Sequence, residues 1–131
     1  MATSGTPYEG RDNIIVPGVY TGLDLRLYVN TLNSLDSTTV LADLSYPTGD
    51  GYATYTMSGT WSSANGVVTY DDGTPDNPVF ENTGTGTWVG DPTGAVITDG
   101  TYILHFKDFA LGAVEMIAGR QIEIDISSLI S

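Results

Sequence analysis

The sequence has no cysteine, a single histidine and only four basic residues. Without cysteine the chain forms no disulfide and binds no metal through thiolates. With His105 as its one histidine, it cannot build a site that needs several imidazole ligands from one chain. No apolar run comes near the roughly 20 residues that cross a bilayer. Residues 1–5 lack the basic and apolar segments of a secretory signal. We therefore expect a protein that is made in the cytoplasm and has no membrane partner.

The charge is strongly unbalanced towards carboxylates. Sixteen acidic residues against four basic ones give a formal net charge of −12. Proteins that bind nucleic acid neutralise its phosphates with lysine and arginine. The only such residues here are Arg11, Arg26, Lys107 and Arg120. We therefore expect no nucleic-acid partner. The surplus of carboxylates favours solubility, or else forms an acidic patch that faces a basic partner.

Alternation with a period of two is the main structural signal. Residues 23–29 and 121–126 alternate apolar and polar side chains, as half-buried strands do. Asn65-Gly66 and Asp99-Gly100 stand between such runs and are the favoured dipeptides of tight hairpin turns. Shorter apolar or aromatic runs lie at residues 39–44, 52–57, 79–83 and 114–117. Helical periodicity is absent over any full window, and only residues 30–44 leave room for a short helical turn.

These signals predict an all-β fold with about eight or nine short strands, and we expect a single antiparallel β-sandwich resembling a jelly roll. The 131 residues, 40% of them hydrophobic, are enough for one domain with its own core. We assign this domain to residues 14–131. Residues 1–13 are polar and rich in turn-forming residues, and we expect them to form a flexible N-terminal arm that orders on a partner.

Candidate chemistry is sparse. Asp71, Asp72 and Asp76 lie in an acidic turn region with oxygen ligands of the kind that Ca²⁺ prefers. Their spacing does not match an EF-hand, and Asp is a common turn residue for backbone reasons alone. With 16 acidic residues, a carboxylate pair arises by chance and does not indicate a hydrolase. We therefore expect no enzyme, no cofactor and no bound metal. His105 is predicted to face outward from a strand.

The aromatic residues allow two interpretations. Aromatic faces beside carboxylates and amides are typical of carbohydrate-binding sites. Tyrosine and tryptophan are equally common in strands, in β-sandwich cores and at subunit interfaces. The residues concerned are Tyr46, Tyr52, Tyr55, Trp61, Tyr70, Trp88 and Tyr102.

The order of several short segments resembles a group of small virion proteins of tailed phages. The resemblance spans residues 23–126 and is carried by the segments 25–30, 40–44, 48–53, 94–99, 102–106 and 119–126, with Trp61 and Phe80 between them. Two positions depart from the pattern. Ala95 and Val96 replace aromatic residues, and Arg120 replaces an acidic residue. Members of this group are head decoration or tail-associated proteins, so the resemblance implies a location on the virion.

Our leading hypothesis for this location is a capsid decoration, or cement, protein that binds the major capsid protein across capsomer junctions and stabilises the head. We expect a homo-oligomer, and a trimer in particular. The alternative is a carbohydrate- or receptor-binding module in a tail or head fibre. The arm and two polar loops supply the predicted partner-binding residues, which are Pro7, Tyr8, Arg11, Leu32, Leu35, Pro75 and Asn77.

Overall fold

The computed structural model describes residues 16–65, 67–71 and 77–130. Eight strands follow one another in these ranges: β1 (Leu23–Tyr28), β2 (Tyr55–Met57), β3 (Thr60–Ala64), β4 (Val67–Asp71), β5 (Val79–Glu81), β6 (Gly94–Thr98), β7 (Ile103–Asp108) and β8 (Gln121–Glu123). The helical elements are α1 (Val16–Val19), a 3-10 helix (Leu41–Asp43) and α2 (Ile126–Ile130). Within the described ranges, no helix is long and apolar enough to cross a membrane.

An antiparallel sheet of four strands, in the order β2-β1-β6-β7, forms the centre of the molecule. Strand β1 pairs with β6 so that Leu25 lies opposite Ile97 and Leu27 opposite Ala95. Because side chains alternate along a strand, these residues share one face of the sheet with Leu23. All five are buried, and they form the main hydrophobic core.

The opposite face of the sheet is buried as well. Tyr28 and Val96 point to this side and pack with Leu44, which follows the 3-10 helix. The segment after β1 folds back over the sheet because the Asn30 side chain binds it twice, donating to the Asp43 carbonyl at 2.9 Å and accepting from the Ser45 N–H at 2.8 Å. Strand β6 is consequently buried along its whole length.

Two further ribbons complete the fold. Strands β5 and β8 pair with each other, and their central residues Phe80 and Ile122 face the main core together with Trp88 and Met116. Strands β3 and β4 form a hairpin with Trp61 opposite Tyr70. The second hairpin, β6–β7, turns through Asp99 and Gly100, whose φ of +93° suits glycine.

The all-β, antiparallel prediction is confirmed, and both hairpins lie where their dipeptides predicted them. The second assembly of strands consists of two separate ribbons, and the β-sandwich and jelly-roll topology stay predictions. The boundary between the predicted arm (1–13) and domain lies outside the described residues.

Three local predictions were wrong. The apolar run at residues 39–44 forms no strand; it contains the 3-10 helix, within the range 30–44 that leaves room for a short helical turn. Residues 114–117 form no strand, and the strand expected at 121–126 ends at Glu123. In this last case Asp125 accepts a hydrogen bond from the Ser128 N–H at 3.2 Å, which favours the start of a helix at Ile126. Ile124 and Ile126 still enter the core.

Candidate functional site: the Leu111 surface

The structure describes three of the seven residues predicted to bind a partner. Leu35 is half-buried and packs into the smaller core, so its role there is structural. Leu32 is half-buried, and Asn77 donates a long hydrogen bond of 3.3 Å from its side chain to Glu123. The others lie outside the described residues; they are Pro7, Tyr8, Arg11 and Pro75.

Leu111 is the most exposed large hydrophobic residue of the described chain, with its side chain 100% accessible. It lies in a turn after β7, in which the Gly112 N–H donates to the Phe109 carbonyl at 3.0 Å. Gly112 has a φ of +88°, a conformation that glycine adopts without strain. The turn is also fixed at its start, because the Phe109 N–H donates to the Thr93 carbonyl at 2.8 Å.

Asp108 ties this turn to the rest of the fold. One carboxylate oxygen accepts a hydrogen bond of 2.7 Å from the buried Tyr28 hydroxyl, and the other accepts one of 2.7 Å from the Asn33 N–H. Burial, and then the hydrogen bond to Asp108, raise the pKa of Tyr28 far above its ordinary value. The hydroxyl therefore stays protonated and acts as a donor. The end of β7 and the 31–34 loop are thus held together.

Two depressions flank the segment 108–110. One lies between this segment and Leu32 and Asn33, so that the predicted residue Leu32 lies beside Leu111. The other is a cavity that reaches across to Glu123, the hydrogen-bond partner of Asn77. We call this region, formed by residues 107–112 with Leu32, Asn33 and residues 123–129, the Leu111 surface. The structure therefore places Leu32 and Asn77 at its two ends.

A single exposed aliphatic side chain is ordinary on a protein surface. The setting of Leu111 is different, since its turn is fixed by backbone hydrogen bonds on both sides and lies between two concave regions. An apolar side chain on a backbone turn that is already held in place requires no ordering of that backbone on association. This arrangement suits contact with another protein.

Replacing Tyr28 by phenylalanine tests the anchoring of this turn. We expect Tyr28→Phe to lower the free energy of unfolding by about 1–2 kcal/mol, because Asp108 loses a donor in a partly buried position. We also expect faster hydrogen–deuterium exchange at the Asn33 and Gly112 amides. Tyr102→Phe is the control, since Tyr102 is 73% exposed at the other end of β7. Equal effects of the two substitutions would contradict the anchoring role of Asp108.

The predicted metal ligands receive no support from the described residues. Asp71 is exposed at the end of β4, while Asp72 and Asp76 lie outside the described residues. Among the residues that the structure describes, no group of three histidine or acidic side chains is placed to hold a metal ion.

His105 does not face outward, contrary to the sequence-based prediction. It is half-buried beside Tyr20, whose hydroxyl lies 2.8 Å from the His105 Nε2 atom. Tyr20 packs edge-on against Trp61 with ring centroids 5.0 Å apart, and Trp61 contacts Tyr70 at 4.7 Å. These four side chains fasten the β3–β4 hairpin to the sheet. Burial lowers the pKa of His105 below its ordinary value of 6.5.

This pKa shift predicts a pH dependence of stability. The unfolded chain binds a proton at His105 more readily than the folded chain does, so stability falls as the pH drops through 6.5 towards the folded pKa. One proton limits the slope to about 1.4 kcal/mol per pH unit. We expect urea titrations between pH 7.5 and 5.5 to show this loss in the parent protein. The loss is expected to be smaller in His105→Gln, in which the carboxylates still titrate. If the two proteins lost stability equally over this pH range, the result would contradict the lowered pKa of His105.

Sequence reasoning missed Leu111, Phe109 and Asp108. The sequence of residues 107–112 indicates only a connection that follows a strand. Gly112, four residues after the last residue of β7, is the one sequence signal of a tight turn here. Nothing in the local sequence indicates that Leu111 is exposed.

Comparison of the chain with protein-family models, with curated proteins and with solved structures gave no match. The resemblance to phage virion proteins therefore rests on the sequence segments alone.

Proposed function

We propose that this chain is a non-enzymatic structural protein of a tailed-phage virion, located on the capsid surface. In this role it acts as a decoration protein that binds the major capsid protein across capsomer junctions. The resemblance over residues 23–126 supports the virion assignment. The observation that carries the binding role is Leu111, fully exposed on a turn that hydrogen bonds hold in place.

The mechanism is additive binding. A decoration protein that contacts two neighbouring capsomers contributes binding free energy to the closed shell, and every copy repeats the contribution. Stable protein pairs bury about 800 Å² on each partner. The Leu111 surface provides one such contact region, and the predicted arm at residues 1–13 is proposed to provide another. We propose a homotrimer as the bound form, which native mass spectrometry of the purified protein tests.

The alternative, carbohydrate recognition, receives less support from the described aromatic residues. Trp88 is buried, and five others are half-buried: Tyr46, Tyr52, Tyr55, Trp61 and Tyr70. Tyr102 is exposed but stands alone at the β6–β7 turn. Sugar binding by stacking needs solvent-facing rings that line a concave surface. The described aromatic side chains instead serve mainly the core and the hairpin contacts.

Quantitative mass spectrometry of purified particles of the phage that encodes this chain tests the proposal. We expect many copies per particle, released by mild heating from heads that remain intact. Heads that lack the chain should regain it from solution and then resist higher temperatures. A few copies that separate with the tail would overturn the decoration role, and absence from the particle would overturn the virion assignment.

A further inference from the structure

The depression of the Leu111 surface between β7, β8 and α2 is a cavity of about 180 Å³ that opens to solvent. Its lining is mainly apolar and includes Ala95, Phe109, Ala110, Ile124 and Leu129. A cavity of ~150 Å³ lined by aliphatic and aromatic residues is large enough for benzene. The volume therefore fits one aliphatic side chain supplied from outside.

The rim of this cavity is acidic. Asp108, Glu123 and Asp125 line it, and Lys107 is the one basic residue among the lining side chains. The Lys107 ammonium group already donates to the Ser128 carbonyl at 3.1 Å and to the Ser128 hydroxyl at 3.0 Å. Among the described residues, neither Glu123 nor Asp125 forms an ion pair with a lysine or arginine. A basic ligand would supply the charge that this rim lacks.

We propose that the cavity receives a single aliphatic side chain from a partner segment that carries lysine or arginine on both sides of it. The apolar lining buries the aliphatic side chain, and Glu123 and Asp125 attract its basic neighbours. The segment then passes over residues 108–110 and reaches Leu111. The inference rests on the proposed function, since it takes the partner to be a protein of the shell.

A second copy of this chain fits the cavity poorly. Each copy has a net charge of −12 and only four basic residues, so a segment of a second copy brings few basic side chains to this acidic rim. Of these four residues, Lys107 lies at the cavity itself. The charge pattern of the rim thus favours a basic protein of a different sequence.

Peptide titrations followed by amide chemical shifts of the full ¹⁵N-labelled chain test this inference without virions. The probe is the capped peptide Arg-Lys-Leu-Lys-Arg, compared with Arg-Lys-Ser-Lys-Arg and Glu-Asp-Leu-Asp-Glu. We expect the first peptide to shift the amides of Phe109, Ile124 and Leu129. We expect the serine peptide to bind at least about tenfold more weakly, because it buries no aliphatic side chain. The acidic peptide should cause no shifts there, and added salt should weaken the response.

Matched variants separate the two components of recognition. Ala110→Trp places a large ring at the exposed edge of the cavity and should abolish the shifts, whereas Ala118→Trp, on an exposed turn elsewhere, should not. Glu123→Gln combined with Asp125→Asn should weaken binding and remove most of its salt dependence. The asparagine retains an oxygen that accepts from the Ser128 N–H. Glu115→Gln is the control for charge.

Equal shifts with all three peptides, or none with the leucine peptide, would overturn the inference. Shifts at the same amides on raising the concentration of the chain alone would assign the cavity to a second copy and overturn it as well. Failure of the peptide test, with the chain still abundant on heads, would leave the proposed function standing. If the chain bound the leucine peptide as expected but were absent from virions, the proposed function would be overturned and the inferred specificity of the cavity would stand.

Discussion

Leu111→Asp is expected to weaken binding of the chain to heads by roughly 30-fold or more while leaving its stability unchanged. The first expectation follows from the proposed function, which makes Leu111 a central interface residue; truncating such a hot-spot side chain costs about 2 kcal/mol or more, and the aspartate adds a charge to the interface. The second follows from the exposure of Leu111, which makes no buried contacts in the isolated chain. Cosedimentation with heads that lack the chain measures the affinity, and urea denaturation measures the stability.

Tyr102→Asp is the matched control for this substitution. Tyr102 is 73% exposed and immediately precedes β7, whereas Leu111 follows the strand's other end. Six strand residues place the two sites on the order of 20 Å apart. Both variants gain one negative charge and lose an exposed hydrophobic side chain. Equal losses of affinity would indicate a general charge effect, and unchanged binding of Leu111→Asp would remove Leu111 from the interface.

Asn82→Leu is expected to lower the free energy of unfolding by about 3–4 kcal/mol. Asn82 is 1% exposed, and its side-chain amide donates to the carbonyls of Gly86 at 2.7 Å and Met116 at 2.8 Å. Its side-chain oxygen accepts from the Gly84 N–H at 3.0 Å. Leucine is similar in size but satisfies none of these three backbone groups. A lost hydrogen bond costs about 1 kcal/mol, and an unsatisfied buried group costs more.

Such a loss is a large fraction of the roughly 5–15 kcal/mol by which small domains are stable. Asn77→Leu is the control, because Asn77 is only half-buried and has one long side-chain hydrogen bond. We expect it to change stability by less than about 0.5 kcal/mol. Urea denaturation of both variants at pH 7.5 gives the comparison. If Asn82→Leu lowered the free energy of unfolding by less than 1 kcal/mol, the three side-chain hydrogen bonds of Asn82 would not be needed to stabilise the neighbouring loops.

The strands that the sequence predicted best are those whose two faces differ. In residues 23–28 the leucines alternate with polar residues because one face lies against the main core, so the period of two is visible. The hairpin dipeptides succeeded because a tight turn depends on local backbone conformation. Asn65, for example, has a φ of +52°. Predictions of this kind need only neighbouring residues.

The errors arose where distant contacts decide the structure. Residues 39–44 are apolar enough for a strand, but Asn30 and the smaller core hold this segment as a loop with a 3-10 turn. At residues 121–126 the alternation continues past the end of β8, because Ile124 and Ile126 also contact the core, Ile124 from an irregular segment and Ile126 from a helix. The period of two therefore predicted correctly which of these residues are buried, but it did not indicate where the strand ends.

The candidate site was predictable only in fragments. Leu32 and Asn77 lie in the polar loops that are predicted to bind a partner; the fold places Leu32 in the Leu111 surface and Asn77 next to it, through its hydrogen bond to Glu123. Leu35, chosen on the same grounds, packs into the core instead. The centre of the surface depends on Asp108 meeting Tyr28 across 80 positions of sequence. No local sequence pattern predicts a hydrogen bond between residues so far apart in the chain.

The sequence alone determined that the chain is all-β, where its two hairpins turn and that its charge is strongly negative. These properties follow from alternation, turn conformation and composition, which are local or additive. The tertiary structure alone decided that Leu111 is exposed, that Asn82 is buried and that an acidic rim surrounds an apolar cavity. Burial of a side chain depends on which distant segments pack against it, so exposure and binding surfaces appear only once the chain has folded.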